Sequence, residues 1–467
     1  MLEKILYTLP ETSLIVGVIF LLKTMIFEKK LNRTCFEIAK IFVFISAASS
    51  VLFYNKGILP QYLSVTPFST LSYVVTCVFA LVWLALSSKW FLSTKSSFGS
   101  YFCVLALSSL FCLSIIVKTV HFGILLGAFT GLALCEYLFF RFSKQSEELY
   151  HTARRYAVIS LVFLLMFAFS VFLLGKNHQL FFDAASYLTE VSPLLKMFIV
   201  MGILCTLFFF LSVAPFHFWL SDASSPLILP VVTYFNLVCP MALWSLMLKL
   251  HHIVFPPLAD HLKSVYFAFG VLSVVFAAIG ANASRFLRKI FTSISLYQTG
   301  VVLLVLSTFK DGLINISFIY IELYLFVLLG VYICFYAFKI NGEYPLNLNL
   351  LKGAASTRPY ITAAFVLMNV ALMGLPPLSY FMMQFVLLGE VAKFPLIVYI
   401  SLFGLLALLP VYLKMIETVS FLKKEQNFDR VDFGVYIYLL LHVLLLLVFA
   451  VRPQILLMQT DILLNIG

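Results

Sequence analysis

Two proline-bearing interruptions stand inside otherwise apolar runs: Ala214-Pro215-Phe216-His217-Phe218-Trp219 and Gly374-Leu375-Pro376-Pro377. A proline lacks a backbone N–H and clashes with the preceding turn, so helices carrying Pro215, or Gly374 with Pro376 and Pro377, break or kink there. His217 follows the first break with a ring that titrates near neutral pH. Glu136, Glu322, Lys249 and the pair Lys414 and Glu417 also lie within or at the ends of apolar runs. An ionisable group at the centre of a membrane helix costs about 2.5–3.5 kcal/mol on insertion scales, and marks a functional site when it persists. The motifs of soluble enzymes are missing: no phosphate-binding glycine loop, H-E-x-x-H, G-x-S-x-G or clustered Cys/His ligand set occurs. The eight cysteines contain no C-x-x-C pair and read as reduced, buried fillers. No metal and no bound cofactor is expected.

The elements that must hold these groups are membrane helices. The 467 residues are 63% hydrophobic, 16% aromatic and 11% charged, with a mean hydropathy of +1.06. Soluble domains carry roughly 25% charged residues, and a chain this size cannot hide so much apolar surface from water. A disordered chain, a secreted disulfide scaffold and a nucleic-acid-binding domain are excluded on the same grounds. Thirty-one Lys and Arg stand against 20 Asp and Glu, a net charge of +11. Most of that excess lies in short loops, where it orients membrane spans.

A span needs about 20 mainly apolar residues. Helices are expected at 11–27, 37–54, 70–88, 101–117, 121–140, 156–174, 197–214, 226–248, 264–282, 290–308, 314–338, 361–391, 395–418 and 432–451. That makes fourteen spans, the twelfth interrupted. The loops after odd-numbered spans hold most of the Lys and Arg, which places both termini outside the cytoplasm. Met1 to Pro10 lacks a basic region before a cleavage site, so the first run is expected to be a retained helix. Five spans, an odd number, separate the two breaks, so five-helix units containing them have opposite orientation. Interrupted helices at matching places in two halves point to an inverted-repeat transporter, with ordinary proline kinks as the alternative. The expected fold is an all-α polytopic membrane protein of about 14 transmembrane helices, with two inverted five-helix repeats that each contain a broken helix. Residues 1–100 would form three N-terminal helices, 101–250 the first repeat, 251–420 the second, and 421–467 the last helix and tail.

The run Ala214 to Asp222, A-P-F-H-F-W-L-S-D, resembles the P-F-H-x-W-x-P-[DE] segment of the antiporter-like membrane subunits of respiratory complex I, nearest to the N type. Arg288 to Gly300 is similar to the K-R-L-L-A-Y-S-S-I-[SA]-[HQ]-x-G segment of these subunits. Tyr324 to Gly330 resembles their Y-L-F-x-x-L-G, and Gly374 to Phe385 their G-[IL]-P-P-x-x-G-F-x-x-K-F. Order and spacing match across about residues 100–420. The resemblance implies proton translocation along a polar axis of buried lysines tuned by a glutamate. It also implies a non-redox subunit with no catalytic centre of its own, in a bacterial inner membrane or an equivalent energy-coupling membrane. Its partners would be the lipid bilayer and other membrane subunits of an NADH:quinone oxidoreductase, with no nucleic acid. The alternatives are a D-type subunit of a multisubunit cation/proton antiporter, or a structural or assembly protein derived from this family.

The sequence departs from that pattern where the resemblance places the lysines. Phe210 occupies the seventh-span position, Leu237 or Pro240 the eighth, and Gln384 the twelfth. The fifth-span glutamate falls near Phe129 or Thr130, leaving Glu136 about two turns further on. Glutamine relays a hydrogen bond but cannot store a proton. A divergent subunit with reduced or lost proton conduction is therefore expected, with Glu136, His217, Glu322, Gln298, Gln384 and Lys414 as proton-path candidates. Plainer readings stay open beside them. Glu136 would snorkel from a helix end, Glu322 would pair with Lys310 or face water, and His217 would bond freed carbonyls. Lys414 and Glu417 would neutralise each other, Lys249 would anchor at the interface, and Lys23 and His442 would snorkel or pack.

Overall fold

Apolar runs of this length have no water to satisfy their peptide groups inside a bilayer, so each must close its own hydrogen bonds as a helix. The computed structural model bears this out, and describes residues 8–27, 32–52, 62–94, 98–143, 147–176, 180–182, 192–310, 312–340, 342–423 and 427–452. Its helices are α1 Leu9–Phe27, α2 Asn32–Leu52, α3 Pro67–Thr94, α4 Gly99–Lys118, α5 Phe122–Ser143, α6 Glu147–Gly175, α7 Pro193–Phe210 and the short α8 Phe218–Ala223. There follow α9 Leu229–Ile253, α10 Ala259–Ala283, α11 Leu287–Leu306, α12 Leu313–Ala337, α13 Pro359–Leu372, α14 Ser379–Glu390, α15 Pro395–Ser420 and α16 Phe433–Val451. Among the described residues 13 helices are long and apolar enough to cross a membrane. The pair α13 and α14, interrupted at Gly374 to Pro377, supplies the broken twelfth crossing, so the count of fourteen holds. β pairing among the described residues occurs only as isolated bridges.

The chain divides into two compact units. One holds the described residues up to Leu211 together with Pro226–Ala259. In it α1 packs on α2 and α4, α2 on α3, α5 on α4 and α6, and α6 on α7. The span α9 is almost wholly enclosed, against α3 and α4, and the indole N–H of Trp83 donates to the Pro230 carbonyl at 2.7 Å. Inside α9, Tyr234–Val238 winds as a π turn directly before Cys239 and Pro240. Proline at 240 has no N–H to give and crowds the carbonyl one turn back, and a single wide turn accommodates both problems. At one end of this unit three short segments pair as bridges, Leu63 with Thr119 and His121 with Phe181.

The other unit holds Ser212–Ser225 and the described residues from Asp260 onward. Its centre is α12, which packs on α13, α14 and α16, while α11 packs on α12 and α15 and α8 lies on α11. Helices α10 and α11 cross backbone to backbone, because a Cβ at Gly300 would stand 2.9 Å from the Gly270 carbonyl; small residues permit such crossings in membranes.

Both breaks fall where the prolines lie. Helix α7 ends at Phe210, short of the expected 214, and the chain turns through Ser212 with φ 54°. Helix α13 ends at Leu372 and Gly374 takes φ 65° before α14 begins. The Ala214–Pro215 and Pro376–Pro377 peptide bonds are cis.

Candidate functional site

Helix α5 turns Glu136 inward, where it is 1% exposed. The phenol of Tyr156 on α6 donates to its Oε2, and the Cys239 thiol, just after the π turn of α9, lies 3.4 Å from Oε1. Aromatic rings close the surroundings: Phe140 lies 5.0 Å from Tyr156, and Phe139 5.2 Å from Tyr234. Glu136 is therefore a core group and does not snorkel. All eight cysteines are reduced and buried, but Cys239 is more than a filler, because it addresses this carboxyl.

Where the resemblance places a lysine on the seventh span and its glutamate on the fifth, the structure has two phenyl rings in contact. Phe210 and Phe129 lie 4.9 Å apart, and Phe210 lies 5.3 Å from Phe209. Thr130, the other position for that glutamate, is exposed.

A second ionisable cluster of the same unit was not legible as a site in the sequence. Lys249, which the sequence reading treats as an interface anchor, is 1% exposed. Its Nζ donates to Ser64 Oγ at 3.0 Å and to the carbonyls of Thr119, Val117 and Lys118 at 2.9, 3.3 and 3.3 Å. The neighbouring Lys118 side chain makes a buried ion pair with Glu11 of α1, 2.6 Å from Nζ to Oε1. Ser114 Oγ also donates to Glu11, at 2.9 Å, and the Tyr73 ring lies 4.4 Å from the Lys118 ammonium. The available signal was span parity: Glu11, Lys118 and Lys249 all fall on the same side of the fourteen-span scheme.

In the other unit the glutamines form a charge-free strip. Gln298 of α11 accepts from Tyr320 of α12 at 2.5 Å and from Tyr380 of α14 at 2.7 Å, and the two phenol oxygens lie 2.8 Å apart. Gln384 stands one turn beyond Tyr380, buried, with its amide packed against Gly374 at the break. It also lines an apolar groove of about 520 Å³ with Phe381, Phe385, Tyr399 and Leu402.

The remaining candidates are not gathered into that strip. Glu322 is half-buried on α12, and Lys310 pairs with the Glu390 carboxylate instead. Lys414 and Glu417 lie on the exposed face of α15, and Lys23 is exposed on α1. His442 is buried and stacks on Phe326 at 4.1 Å. His217, half-buried, has its ring 5.3 Å from Phe276, and burial holds the imidazole below its ordinary value of 6.5. Among the described residues no three His, Cys, Asp or Glu side chains gather as metal ligands.

Two interrupted crossings, with buried ionisable and amide groups between the spans, define the class: a polytopic helical membrane protein built on broken transporter helices. The family described as NADH:quinone oxidoreductase/Mrp antiporter, TM, matches residues 121–409, and the chain belongs to it. Among curated relatives, it is 23% identical over 467 residues to the NADH-quinone oxidoreductase subunit N of Pelagibacter ubique, covering 97% of this chain and 98% of that one. It is 24% identical to the subunit N of Rickettsia bellii, over 69% of this chain and 72% of the other. In solved structures the fold matches a chain of respiratory complex I from Thermus thermophilus, with TM-score 0.79, 19% identity, and 95% and 97% of the two chains covered. It also matches a chain of the membrane-bound sulfane sulfur reductase, an archaeal respiratory membrane complex, with TM-score 0.85, 17% identity and 98% of each chain covered.

Proposed function

We propose that this chain is the N-type antiporter-like subunit of a respiratory NADH:quinone oxidoreductase, set among other membrane subunits in a bacterial inner membrane. Its own proton conduction is reduced or lost. The assembly is supported by a subunit N relative that aligns along nearly the whole chain. The loss of conduction rests on one observation, the Phe129–Phe210 contact at 4.9 Å where the resemblance expects an ion pair. Phenyl rings hold no proton and exclude the water that would carry one. The strip of Gln298, Tyr320, Tyr380 and Gln384 is consistent with this, since an amide cannot store a proton at physiological pH. Two buried ionisable stations persist in the first unit. Cys239, the partner of Glu136, and Lys249 are ten residues apart on α9, roughly 15 Å along a helix at 1.5 Å per residue. The subunit therefore keeps the charged ends of a path whose middle is apolar.

Reconstituted alone in liposomes, the chain is expected to give no uncoupler-sensitive proton flux. A robust flux that Glu136→Gln or Glu322→Gln abolishes would overturn the reading. The family also contains cation/proton antiporter subunits, and purification of the tagged chain separates the two assemblies. NADH:quinone activity travelling with the tag supports the respiratory assembly, and a set of small antiporter subunits without that activity contradicts it.

A further inference from the structure

At the end of α10 a cleft of about 600 Å³ opens between that helix, α8, the start of α11 and the segment around Asn347. Its walls divide by chemistry. Phe276 and Ile279 of α10, with Phe286, form an apolar side; Arg285, Lys289, Asn347 and Asn349 form a polar one. The polar side is held by backbone pairing, because Leu287 N donates to the Leu346 carbonyl at 3.0 Å and Leu348 N to the Arg285 carbonyl at 3.1 Å. Two cations thus face the cleft beside two amides. One carboxylate, Asp222, lies 3.8 Å from the Lys289 ammonium and is 62% exposed, so the two cations of the cleft outnumber it.

The apolar wall does not stop at the cleft. Phe276 and Ile279 continue along α10 into Val275 and Leu272, and all four are 39–59% exposed. Their spacing of three, four and seven residues puts them on one helix face. A cationic, amide-lined recess therefore runs directly into a hydrocarbon stripe on a membrane span. A free anion has no use for the stripe, and a zwitterionic headgroup brings its own cation against Arg285. We infer that this cleft binds the headgroup of an anionic phospholipid, with Arg285 and Lys289 on its phosphate and its acyl chains along α10. Basic pockets between membrane helices recognise such headgroups, and the fork of an arginine suits phosphate oxygens.

The test uses the assembled membrane complex containing the full chain, delipidated in detergent and titrated with spin-labelled phosphatidylglycerol and phosphatidylcholine of matched acyl chains. Phosphatidylglycerol is expected to bind more tightly. The double variant Arg285→Gln with Lys289→Gln is expected to lose about 30-fold in that affinity while phosphatidylcholine binding stays put. Lys289→Arg, which keeps the charge, should retain the preference, and a matching unfolding midpoint without lipid shows that the variants are folded. Equal affinity for the two lipids overturns the inference, as does an unchanged double variant. Inorganic phosphate displacing the label at the concentration expected of a simple anion site also overturns it, in favour of a free-anion site.

Discussion

Breaking the Glu11–Lys118 pair one partner at a time should be far more damaging than replacing both. The two side chains are 8% and 4% exposed and 2.6 Å apart. In Lys118→Met the Glu11 carboxylate keeps, among the described residues, the Ser114 hydroxyl at 2.9 Å. In Glu11→Leu the ammonium keeps the Tyr73 ring at 4.4 Å and Ser50 at 3.5 Å. Stranding one member of a buried pair costs about 3–5 kcal/mol, whereas replacing the pair by apolar groups of similar volume is often neutral or stabilising. The ring offsets about 1 kcal/mol for the stranded ammonium, so Glu11→Leu should sit at the lower end of that range. The double variant Glu11→Leu with Lys118→Met should lie within about 1 kcal/mol of the natural chain, giving a coupling of about 3 kcal/mol or more. The assay is equilibrium unfolding in mixed micelles across the four-membered cycle, followed by circular dichroism. Single variants that each cost under about 1 kcal/mol, or a double variant equal to their sum, would refute the claim that this pair is desolvated and fastens α1 to α4.

Three further outcomes follow from the same contacts. Phe210→Lys places an ammonium among Phe129 and Phe209 and should destabilise the chain by about 3 kcal/mol or more; normal accumulation together with new proton flux would contradict the apolar reading of that position. His121 accepts the amides of Gly123 and Ile124 through Nδ1 at 3.1 and 3.3 Å, and burial holds its imidazole below 6.5. The folded chain resists a proton that the unfolded chain takes up, so this cap is fully present above pH 6.5 and is lost as pH falls from there through the lower folded value. Amide exchange at Gly123 and Ile124 should accelerate relative to the rest of α5 over that window, and His121→Ala should remove the dependence. Gly374→Ala forces a side chain into φ 65° against the Gln384 amide, costing about 1–2 kcal/mol for the backbone alone. Adding Gln384→Ala should recover only the contact part, and full recovery in an unfolding measurement would mean the left-handed turn carries no strain.

The fourteen crossings were legible because hydropathy and backbone satisfaction act locally, residue by residue along each run. The two breaks were legible for the same reason, since Pro215, Pro376 and Pro377 each remove a donor wherever they stand. The charged groups were harder. Lys118 and Lys249 end their spans, which in sequence looks like the edge of the bilayer. Lys249 is buried by the segments around Ser64 and Thr119, and Lys118 by Glu11, Ser50 and Tyr73 from three other helices, and that is tertiary information. Glu136 looked like a terminal residue of a span for the same reason, yet α6 and α9 supply Tyr156 and Cys239 to it. Lys310 finds Glu390, 80 residues away, rather than the nearby Glu322. The π turn was only half legible, because Pro240 signals a disturbed helix while Tyr234 to Val238 has ordinary helix composition and does not show what form the disturbance takes.

That turn has a consequence for how the length of α9 can vary. The helix is indexed twice, by Trp83 on the Pro230 carbonyl before the turn and by the Lys249 cage after it. A π turn takes up one residue more than an α turn. Deleting one residue between 234 and 238 would turn the wide turn into an ordinary α turn, whereas a deletion in the regular helix between 241 and 247 would rotate one end against the other by about 100°. Only the second change forces a choice between the two anchors, so the wide turn works as a vernier that takes up one residue of slack between two fixed marks. A single-residue deletion should therefore be tolerated better between 234 and 238 than between 241 and 247.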